Sequence, residues 1–283
     1  MNAFYRKILW HLPRKVAHTL LHYDSHKEII NWKNPKTYDE KIRWLLVNLY
    51  GENEAKYADK YKVRKYIKDC GLEEILIPIY GTWKSSKEIN LEELPNKFIL
   101  KANHGSGEEF YSIIENKNDK EKMLKEFRKI DSSLKFNFAK LECEYQYDKI
   151  EPRIIAEKYL EDNNKRLTDY KVLCFNSIPK YILVCSERNK GRDYFDINWN
   201  YMLFTNKEYR SKNKIPKPKN LERMLEYASI ISKPFHFVRV DFYDLDGKIY
   251  FGEISLTPAA CMNSYLTQEA QLKIGKEIQL PIK

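Results

Sequence analysis

The chain has 283 residues, of which 43% are hydrophobic and 32% are charged. That composition is typical of a folded globular protein and excludes a disordered or collagen-like chain. No apolar run approaches the ~18–20 residues that cross a bilayer, and the N-terminal residues lack the uninterrupted apolar core of a signal peptide. The net charge of +10 would suit nucleic acid, a membrane surface or a polyanionic substrate. Because no nucleic-acid-binding motif is present, we expect no nucleic-acid partner.

The cysteines indicate the compartment. They number five, are dispersed and form no CxxC pair: Cys70, Cys143, Cys174, Cys185 and Cys261. An odd number of scattered thiols suits a reducing environment and argues against a disulfide framework or a zinc site. We therefore expect a cytoplasmic location.

The N-terminal segment, residues 1–23, contains no acidic residue and mixes basic with apolar side chains. Its lysines and arginines are Arg6, Lys7, Arg14 and Lys15, and Pro13 interrupts the helical pattern. Two interpretations fit this amphipathic pattern. The segment contacts a membrane surface, as a peripheral protein at the inner membrane face would, or it packs on the body of the protein with its basic side in water.

The next elements are helices. Thr37 and Glu40 have the spacing of a capping box and predict the start of a helix with an apolar face. Asp59-Lys60 predicts the start of a second amphipathic helix, which ends at Gly71. Residues 75–83 predict a strand, and Pro78 within it favours an edge or bent position.

A glycine-rich turn follows a strand at residues 96–102. The turn contains Gly105, Ser106 and Gly107 and leads into a second strand at residues 111–115. The backbone N–H groups of such a flexible turn can fold over a phosphate. Lys101, at the end of the preceding strand, can reach the same oxygens. A plain β-hairpin turn fits the same residues.

The remaining pattern alternates helices and strands irregularly, mostly through antiparallel hairpins, which predicts an α+β fold rather than a doubly wound parallel sheet. We predict helices at 119–134, 221–232 and 265–277, strands at 153–160, 169–175 and 180–185, a polar loop at 186–196, and a basic linker at 212–219.

Residues 235–254 predict a β-hairpin with a turn at Asp246-Gly247. Its charged residues Arg239, Asp241 and Glu253 share one face only if the loop has an odd length, so we expect a three-residue loop at 245–247 with a bulge at the glycine. The face is then either solvated or the site of a divalent metal with bound phosphate.

Several signals in one order resemble the ATP-grasp superfamily: Asp59-Lys60, Lys101 with the following Asn103-His104-Gly105-Ser106-Gly107 string, Glu157-Lys158-Tyr159-Leu160, Asp169-Tyr170-Lys171, Arg239-Val240-Asp241 and Glu253-Ile254-Ser255. Within it, the chain looks like the TupA-like family of the teichuronopeptide-biosynthesis type, which occurs with bacterial surface-polysaccharide genes. Asn34-Pro35-Lys36-Thr37 also looks like this group. The resemblance covers about residues 30 to 262.

The resemblance implies a role for each matching residue. Lys60 and Lys101 would bind ATP phosphates, and Gly105, Ser106 and Gly107 would cover them. Residues that read the adenine and ribose would be Glu157, Lys158, Tyr159, Leu160 and Asp169. Asp241 and Glu253 would ligate Mg²⁺, and Arg239 would steady the reacting carboxylate. Ser255 would be the third metal ligand; it departs from the family pattern, where asparagine is common at this position, and a hydroxyl is a weaker ligand.

The resemblance also implies an ATP-grasp fold, with a helical region at 1–72, a small subdomain at 73–160 and a large subdomain at 161–283. The implied function is an ATP-dependent carboxylate–amine ligase that acts on a uronic-acid carboxylate of a bacterial surface glycan. Alternatives are a glycan kinase, a glycosyltransferase and a non-catalytic glycan-binding protein. Candidate catalytic residues are Arg239, Lys101 and His104. Candidate substrate contacts are Lys171, Arg188 and Arg192, whose positive charges would suit an anionic sugar. His104 would either donate to phosphate or anchor the loop.

Overall fold

A computed structural model describes residues 3–161, 167–185 and 191–281. Within these ranges the α-helices are α1 (Ala3–Trp10), α2 (Arg14–His26), α3 (Tyr38–Asn48), α4 (Ala55–Ala58), α5 (Val63–Asp69), α6 (Lys120–Ser133), α7 (Phe138–Glu142), α8 (Leu221–Ile231) and α9 (Gln268–Glu277). The strands are β1 (Ile79–Trp83), β2 (Phe98–Ala102), β3 (Tyr111–Ile114), β4 (Ile154–Lys158), β5 (Asp169–Phe175), β6 (Ile178–Cys185), β7 (Asp193–Asp196), β8 (Tyr201–Met202), β9 (Phe237–Leu245) and β10 (Lys248–Ser255).

The strands form two antiparallel sheets. The small sheet has the order β1-β4-β2-β3, and the large sheet has the order β10-β9-β5-β6-β7-β8. Hairpins join β2 to β3, β5 to β6 and β9 to β10, because each of these strand pairs is adjacent both in sequence and in the sheet. The predicted α+β class is confirmed.

The large sheet carries the main core. Its buried strand residues pack with α3, α5, α8 and α9 around side chains such as Ile42, Ile67, Met224, Phe237 and Ile274. The capping box at the start of α3 forms as predicted: the Thr37 hydroxyl accepts from the Glu40 N–H, and the Glu40 carboxylate accepts from the Thr37 N–H. Helices α3 and α5 therefore share a core with the large sheet. The division into three parts at 72/73 and 160/161 stays a prediction.

The small sheet has a separate core. It is formed by alternate residues of β2 and β4 with α6 and α7, and includes Phe98, Leu100, Ile130, Phe138 and Ala156. Alternation places the opposite side chains of β2, including Lys101, on the other face of this sheet. The face of the small sheet that carries Lys101 thus lies outside this core and is available to line a site.

The β9–β10 hairpin differs from the prediction at its turn. Leu245 pairs with Lys248, so the loop has two residues, Asp246 and Gly247, and both have the positive φ of a type I′ turn (51° and 75°). The predicted three-residue loop is wrong. The odd residue is Gly252 instead: Phe251 pairs with Phe242, and the register then shifts so that Glu253 pairs with Asp241.

Two further predictions need correction. The predicted loop at 186–196 contains strand β7 at Asp193–Asp196, whose aromatic residues pair with β6 and β8; residues 186–190 lie outside the described ranges. The helix expected to begin at Asp59 begins at Val63, because the Asp59 carboxylate accepts the N–H groups of Tyr61 and Lys62 in a preceding turn.

The N-terminal helices α1 and α2 pack on the body of the protein. Leu9, Ala17 and Leu21 form a small buried cluster with Cys143, and the Arg14 guanidinium lies 3.9 Å from the centre of the Tyr145 ring. None of the helices in the described ranges combines the length and the apolar character needed to cross a bilayer. The packed interpretation of these helices thus holds for their inward side.

Candidate active site

A cavity of about 850 Å³ lies between the two sheets. The small sheet contributes Lys101 and Glu157, and the large sheet contributes Lys171, Asp241 and Glu253. A cavity of this size is within the range of small-molecule sites in proteins, roughly 300–1,000 Å³. The structure therefore brings the motif residues of both sheets together in one cavity.

Lys60 reaches the cavity from the turn before α5. Its Nζ donates to the Gly105 carbonyl oxygen at 2.5 Å, and its backbone N–H donates to the Asn103 carbonyl oxygen at 3.1 Å. Burial lowers the pKa of Lys60, although nearby Glu253 and Glu157 oppose the effect. A cation with this local environment is ready to interact with an anion that enters the cavity.

Asn103 fixes the position of Lys60, a role that was not predicted from the sequence. Its fully buried amide donates to the Asp59 carboxylate at 2.9 Å and to the Glu151 carbonyl oxygen at 3.0 Å, and it accepts the Arg153 N–H at 2.7 Å. One side chain thereby connects the Lys60 turn, the end of β2 and the segment before β4. An asparagine directly after a strand and before a glycine-rich turn is the only sequence signal for this role.

The glycine-rich turn lies at the edge of the cavity, which Gly105, Ser106 and Gly107 all line. Gly107 has φ of +95°, which side chains rarely adopt, and a Cβ on Gly105 would lie 2.3 Å from the Phe110 ring. Both glycines are therefore required by the conformation of the turn. Ser106 is exposed at its tip.

Lys101 and Glu157 form an ion pair on the cavity wall, with Nζ and Oε2 2.5 Å apart. Glu157 belongs to β4, and the chain continues along the cavity through Lys158, Tyr159 and Leu160. Asp169, at the start of β5, lines the cavity beside them and lies 3.7 Å from Lys171. All the residues predicted to bind the nucleotide thus line this one cavity.

The opposite wall holds a network of charges around Asp241. Arg239 donates to both Asp241 oxygens, at 2.6 and 2.7 Å, and to a Glu253 oxygen at 2.8 Å. Lys171, which pairs with Asp241 across β5 and β9, places its Nζ 2.5 Å from Asp241 Oδ2. Two cations therefore hold two carboxylates side by side, despite the repulsion between like charges.

The same network sets the ionisation of its members. Burial alone would raise the pKa of Asp241, but Arg239 and Lys171 lower the pKa of this carboxyl below its usual value. Burial alone would lower the pKa of Lys171, but Asp241 raises the pKa of this ammonium above its usual value. Asp241 is thus a carboxylate, and Lys171 an ammonium, at neutral pH.

Three other residues predicted for the site do not line the cavity. Arg239 and Ser255 are not among the residues that line the cavity, although both share the strand face of Glu253. His104 is buried, with Nε2 3.1 Å from the Phe136 carbonyl oxygen and the ring edge-on to Phe110. Burial lowers the pKa of His104. Its surroundings favour the loop-anchor interpretation over the predicted contact with phosphate.

Arg192, a second substrate candidate, lies away from the cavity. The Arg192 guanidinium lies 4.6 Å from the centre of the Tyr265 ring and 5.7 Å from that of Tyr209, outside the cavity lining. Arg188 lies outside the described residues. Of the two candidates within the described residues, Lys171 lines the cavity, where it is bound to Asp241.

Arg64 also lines the cavity and was not predicted from the sequence. It lies four residues after Lys60, at the start of α5. Burial lowers the pKa of Arg64, and Glu157 opposes the effect. A second cation four residues after the lysine, at the start of the helix that follows it, is the signal that could have indicated it.

The family model for TupA-like ATP-grasp proteins matches residues 40–279 of this sequence. The chain belongs to the TupA-like ATP-grasp family. The resemblance found in the motifs is confirmed, and so is the ATP-grasp fold. The match includes most of α3, both sheets and α9, and with them every residue that lines the cavity.

Solved structures of ligases resemble this TupA-like ATP-grasp protein. The L-amino acid ligase from Bacillus licheniformis is 12% identical with a TM-score of 0.50, and the match covers 85% of this chain and 55% of that one. D-alanine-D-alanine ligase from Helicobacter pylori is 15% identical with a TM-score of 0.45, at 80% and 59% coverage. The chain therefore spans little more than half the length of these ligases. A search of curated proteins found no match.

The cavity of the TupA-like ATP-grasp protein fits ATP and Mg²⁺. Lys60, Lys101 and the glycine-rich turn supply donors for phosphate oxygens, and Asp241 and Glu253 supply hard carboxylate oxygens opposite them. In the described ranges, no group of three or more His, Cys, Asp or Glu side chains could hold a metal by itself. Mg²⁺ is commonly held by one or two carboxylates together with substrate phosphates, so two carboxylates suffice.

Proposed function

We propose that this protein is an ATP-dependent carboxylate–amine ligase. One observation carries the proposal: a single cavity has Lys60, Lys101 and the glycine-rich turn on one wall and Asp241 and Glu253 on the other. Transfer of a phosphoryl group from ATP to a carboxylate requires hydrogen-bond donors for the phosphate oxygens. It also requires carboxylates opposite them that can bind a metal ion. The ligases of similar fold support the reaction class.

The reaction has two steps. A carboxylate oxygen attacks the γ-phosphorus of ATP, the bond to the β,γ-bridging oxygen breaks, and ADP leaves. An amine then attacks the carbonyl carbon of the acyl phosphate, the C–O bond to phosphate breaks, and the nitrogen loses a proton as the amide forms. Mg²⁺, when bound, would neutralise negative charge on the phosphates.

The residues of the cavity have distinct roles in this proposal. Lys60 and Lys101 stabilise the negative charge that spreads over the transferred phosphoryl group, and removal of one such contact costs ~10²–10³ in rate. Arg239 holds Asp241 and Glu253 in place through three hydrogen bonds. The predicted direct contact of Arg239 with the reacting carboxylate stays a prediction.

An anionic sugar, such as a uronate of a surface glycan, is the carboxylate substrate that we propose. Cationic side chains that line the cavity support an anionic substrate: Lys60, Arg64, Lys101, Lys129, Lys158 and Lys171. The chain's net charge of +10 would also attract a polyanion. Hydroxyl-rich, negatively charged substrates suit such a lining better than apolar carboxylates do.

Hydroxylamine trapping tests the ligase proposal. The protein is incubated with Mg-ATP, hydroxylamine and a panel of uronates, and we expect a hydroxamate to form with stoichiometric release of ADP. ADP release with phosphorylation of a sugar hydroxyl, and no hydroxamate, would instead indicate a kinase. Product from a nucleotide-sugar donor without ATP would indicate a glycosyltransferase. Failure of Mg-ATP to raise the melting temperature would favour a non-catalytic binding protein.

Two variants connect the activity to the cavity. Glu253→Gln and Lys101→Ala should abolish hydroxamate formation while the thermal unfolding transition stays cooperative. Lys122→Ala, at an exposed lysine of α6, is the matched control and should retain activity. If either cavity variant only unfolds the protein, its assignment to the site is wrong.

We also propose that helix α2 contacts an anionic membrane surface. Its outward side exposes Val16 (46%), Leu20 (37%) and Tyr23 (49%), which lie on one stripe, and exposed Lys15 and Lys27 adjoin it. A helix with an apolar stripe and flanking lysines suits the interface of an anionic bilayer. This arrangement leaves the inward side of α2 packed on the body, as described above.

Vesicle co-sedimentation tests the membrane proposal. Binding to phosphatidylglycerol-containing vesicles should exceed binding to pure phosphatidylcholine and should decrease with salt. A Val16→Glu, Leu20→Glu double variant should lose this binding, whereas Leu124→Glu, at an exposed leucine of α6, should retain it. Equal binding by the double variant, or concentration-dependent self-association that the double variant abolishes, would exclude the lipid contact.

A further inference from the structure

A second cavity, of about 340 Å³, lies at the far edge of the large sheet. It is lined by side chains of β7, β8, the turn between them and the segment at 211–215, namely Asp193, Phe195, Trp199, Tyr201, Ser211, Lys212, Asn213, Lys214 and Ile215. We call it the Trp199 cavity. Its lining combines aromatic rings with one carboxylate and two lysines, and nothing in the proposed reaction uses it.

The Trp199 cavity opens on the opposite face of the large sheet from the candidate active site. Asp193 pairs with Val184, which in turn pairs with Tyr170, so these residues share one face. Because side chains alternate along a strand, Asp169 and Lys171 lie on the other face, where they line the active-site cavity. A ligand in the Trp199 cavity would therefore not compete with ATP for space.

Trp199 is held in a conformation that tryptophan rarely adopts. Its φ is 68°, in the left-handed region, and its indole is stacked on Phe195 with ring centres 4.2 Å apart and planes 8° apart. The Asp196 carboxylate fixes the turn by accepting the N–H groups of Asn198 and Asn200. Strained residues persist where the surrounding structure determines them, and they concentrate at binding sites.

The indole Nε1 of Trp199 is buried, and no group in the described residues accepts its hydrogen. A buried donor without a partner costs about 1–3 kcal/mol, so such groups are uncommon unless a ligand or a solvent molecule satisfies them. Asp193, which is 3% exposed, supplies an acceptor: its carboxylate already accepts the Tyr201 hydroxyl at 3.0 Å and the Ser211 N–H at 3.1 Å. The cavity thus offers both a hydrogen-bond donor and a fixed carboxylate.

We propose that the Trp199 cavity binds an acidic pyranose unit of a glycan. Aromatic side chains suit the C–H faces of a sugar ring, the indole N–H and Asp193 match its hydroxyl groups, and exposed Lys212 and Lys214 match its carboxylate. The site extends the proposed function, because it would hold a glycan chain on the side of the sheet away from the reacting end. Its binding can be measured without ATP or turnover.

The experiment uses full-length protein labelled with 5-fluorotryptophan and observed by ¹⁹F NMR. The chain has five tryptophans, and the Trp199 resonance is assigned by its loss in Trp199→Phe. Titration with a disaccharide of glucuronic acid should shift this resonance with saturation. The neutral methyl glucoside should bind more weakly. If saturating amounts of both sugars leave the Trp199 resonance unchanged, the proposal is overturned.

Variants separate the contribution of the Trp199 N–H to sugar binding from that of the two lysines. Trp199→Phe keeps the aromatic ring and removes the N–H, and we expect disaccharide affinity, measured by calorimetry, to decrease about tenfold. Lys212→Ala with Lys214→Ala, at exposed positions, should reduce affinity for the acidic sugar and not for the neutral one. Lys122→Ala, at an exposed lysine of α6, should leave binding unchanged. If Trp199→Phe and the double lysine variant both bind the disaccharide as tightly as the unmodified protein does, this site is excluded. Loss of ligase activity with unchanged disaccharide binding would contradict the proposed function and not this site.

Discussion

Glu253 lies directly opposite Asp241 in the β9–β10 pair, and the guanidinium of Arg239 bridges the two carboxylates. They are opposite because Gly252 is an extra residue in β10. Without it, the register set by the two-residue turn would pair Asp241 with residue 252 and send the Glu253 side chain to the other face. One glycine therefore brings both carboxylates into the cavity.

Gly252→Ala should damage the site more than the fold. A Cβ at this position would lie 3.1 Å from the Asp241 carbonyl oxygen, so Asp241 must move by a few tenths of an ångström. We expect the ligase activity to decrease ~10²-fold, because catalysis is sensitive to small displacements. The free energy of unfolding, measured with urea, should decrease by only about 1 kcal/mol.

Gly51→Ala is the matched control for this change. A Cβ there meets no atom within 4 Å, and Gly51 has no positive φ. Both activity and stability should stay close to those of the unmodified protein. Equal activity of the Gly252 and Gly51 variants would show that the bulge does not position Asp241.

Lys171→Met should reduce stability through Asp241. The Lys171 and Asp241 side chains are only 14% and 3% exposed, and loss of the ammonium leaves Asp241 with Arg239 as its remaining cation. We expect urea denaturation to show a loss of about 1–3 kcal/mol. Lys97→Met removes an ion pair with Glu161 in which both side chains are more than a third exposed, and it should change stability by less than about 1 kcal/mol. Similar losses in the two variants would contradict a special role for the Lys171 pair.

Much of this site could be predicted because its parts are local in sequence. A lysine at the end of a strand, a glycine-rich turn after it and acidic residues on a hairpin are short patterns. The position of the bulge could not be predicted, since Gly247 and Gly252 both permit an extra residue and only the packing of β10 against β9 selects one. The positioning role of Asn103 was missed for a similar reason, because its partners Asp59, Glu151 and Arg153 come from distant segments. Strand β7 was missed because its aspartates and the polar residues before it are typical of a loop.

Asn103→Asp should weaken the binding of ATP as well as the fold. The new carboxylate would face Asp59 and the Glu151 carbonyl oxygen, which now accept hydrogen bonds from the Asn103 amide. We expect a loss of about 2–4 kcal/mol in the free energy of unfolding. The Kd for ATP, measured by calorimetry at a temperature where the variant is folded, should increase. Asn118→Asp, at an exposed position, should change neither. Unchanged affinity in folded Asn103→Asp would exclude its role in positioning Lys60.

Glu144 should make stability depend on pH. This carboxyl is buried next to the Thr257 hydroxyl, and burial raises its pKa to about 8. In the unfolded chain the group ionises near pH ~4.3. Between these values the unfolded state releases a proton that the folded state retains, so stability should decrease as the pH rises from about 4.5 to 8, by at most about 1.4 kcal/mol per pH unit.

Denaturation of Glu144→Gln across this pH range checks the assignment. The variant keeps a neutral group at position 144, so it should be more stable than the unmodified protein at pH 8, with little difference at pH 4.5. Glu92→Gln, at an exposed carboxylate, should follow the unmodified protein throughout. A pH dependence that persists in Glu144→Gln would place its origin elsewhere.

The contacts of three cavity lysines with oxygen atoms of the protein affect how ATP binds. Lys60 donates to the Gly105 carbonyl oxygen, Lys101 to Glu157 and Lys171 to Asp241, so each ammonium already has an oxygen partner within the protein. When a nucleotide binds, each lysine must then replace its contact with a protein oxygen by a contact with a phosphate oxygen. The affinity would reflect the difference between two sets of contacts, which favours a moderate Kd and ready release of ADP. Release of the Gly105 carbonyl by Lys60 would also free the glycine-rich turn to close over the phosphates.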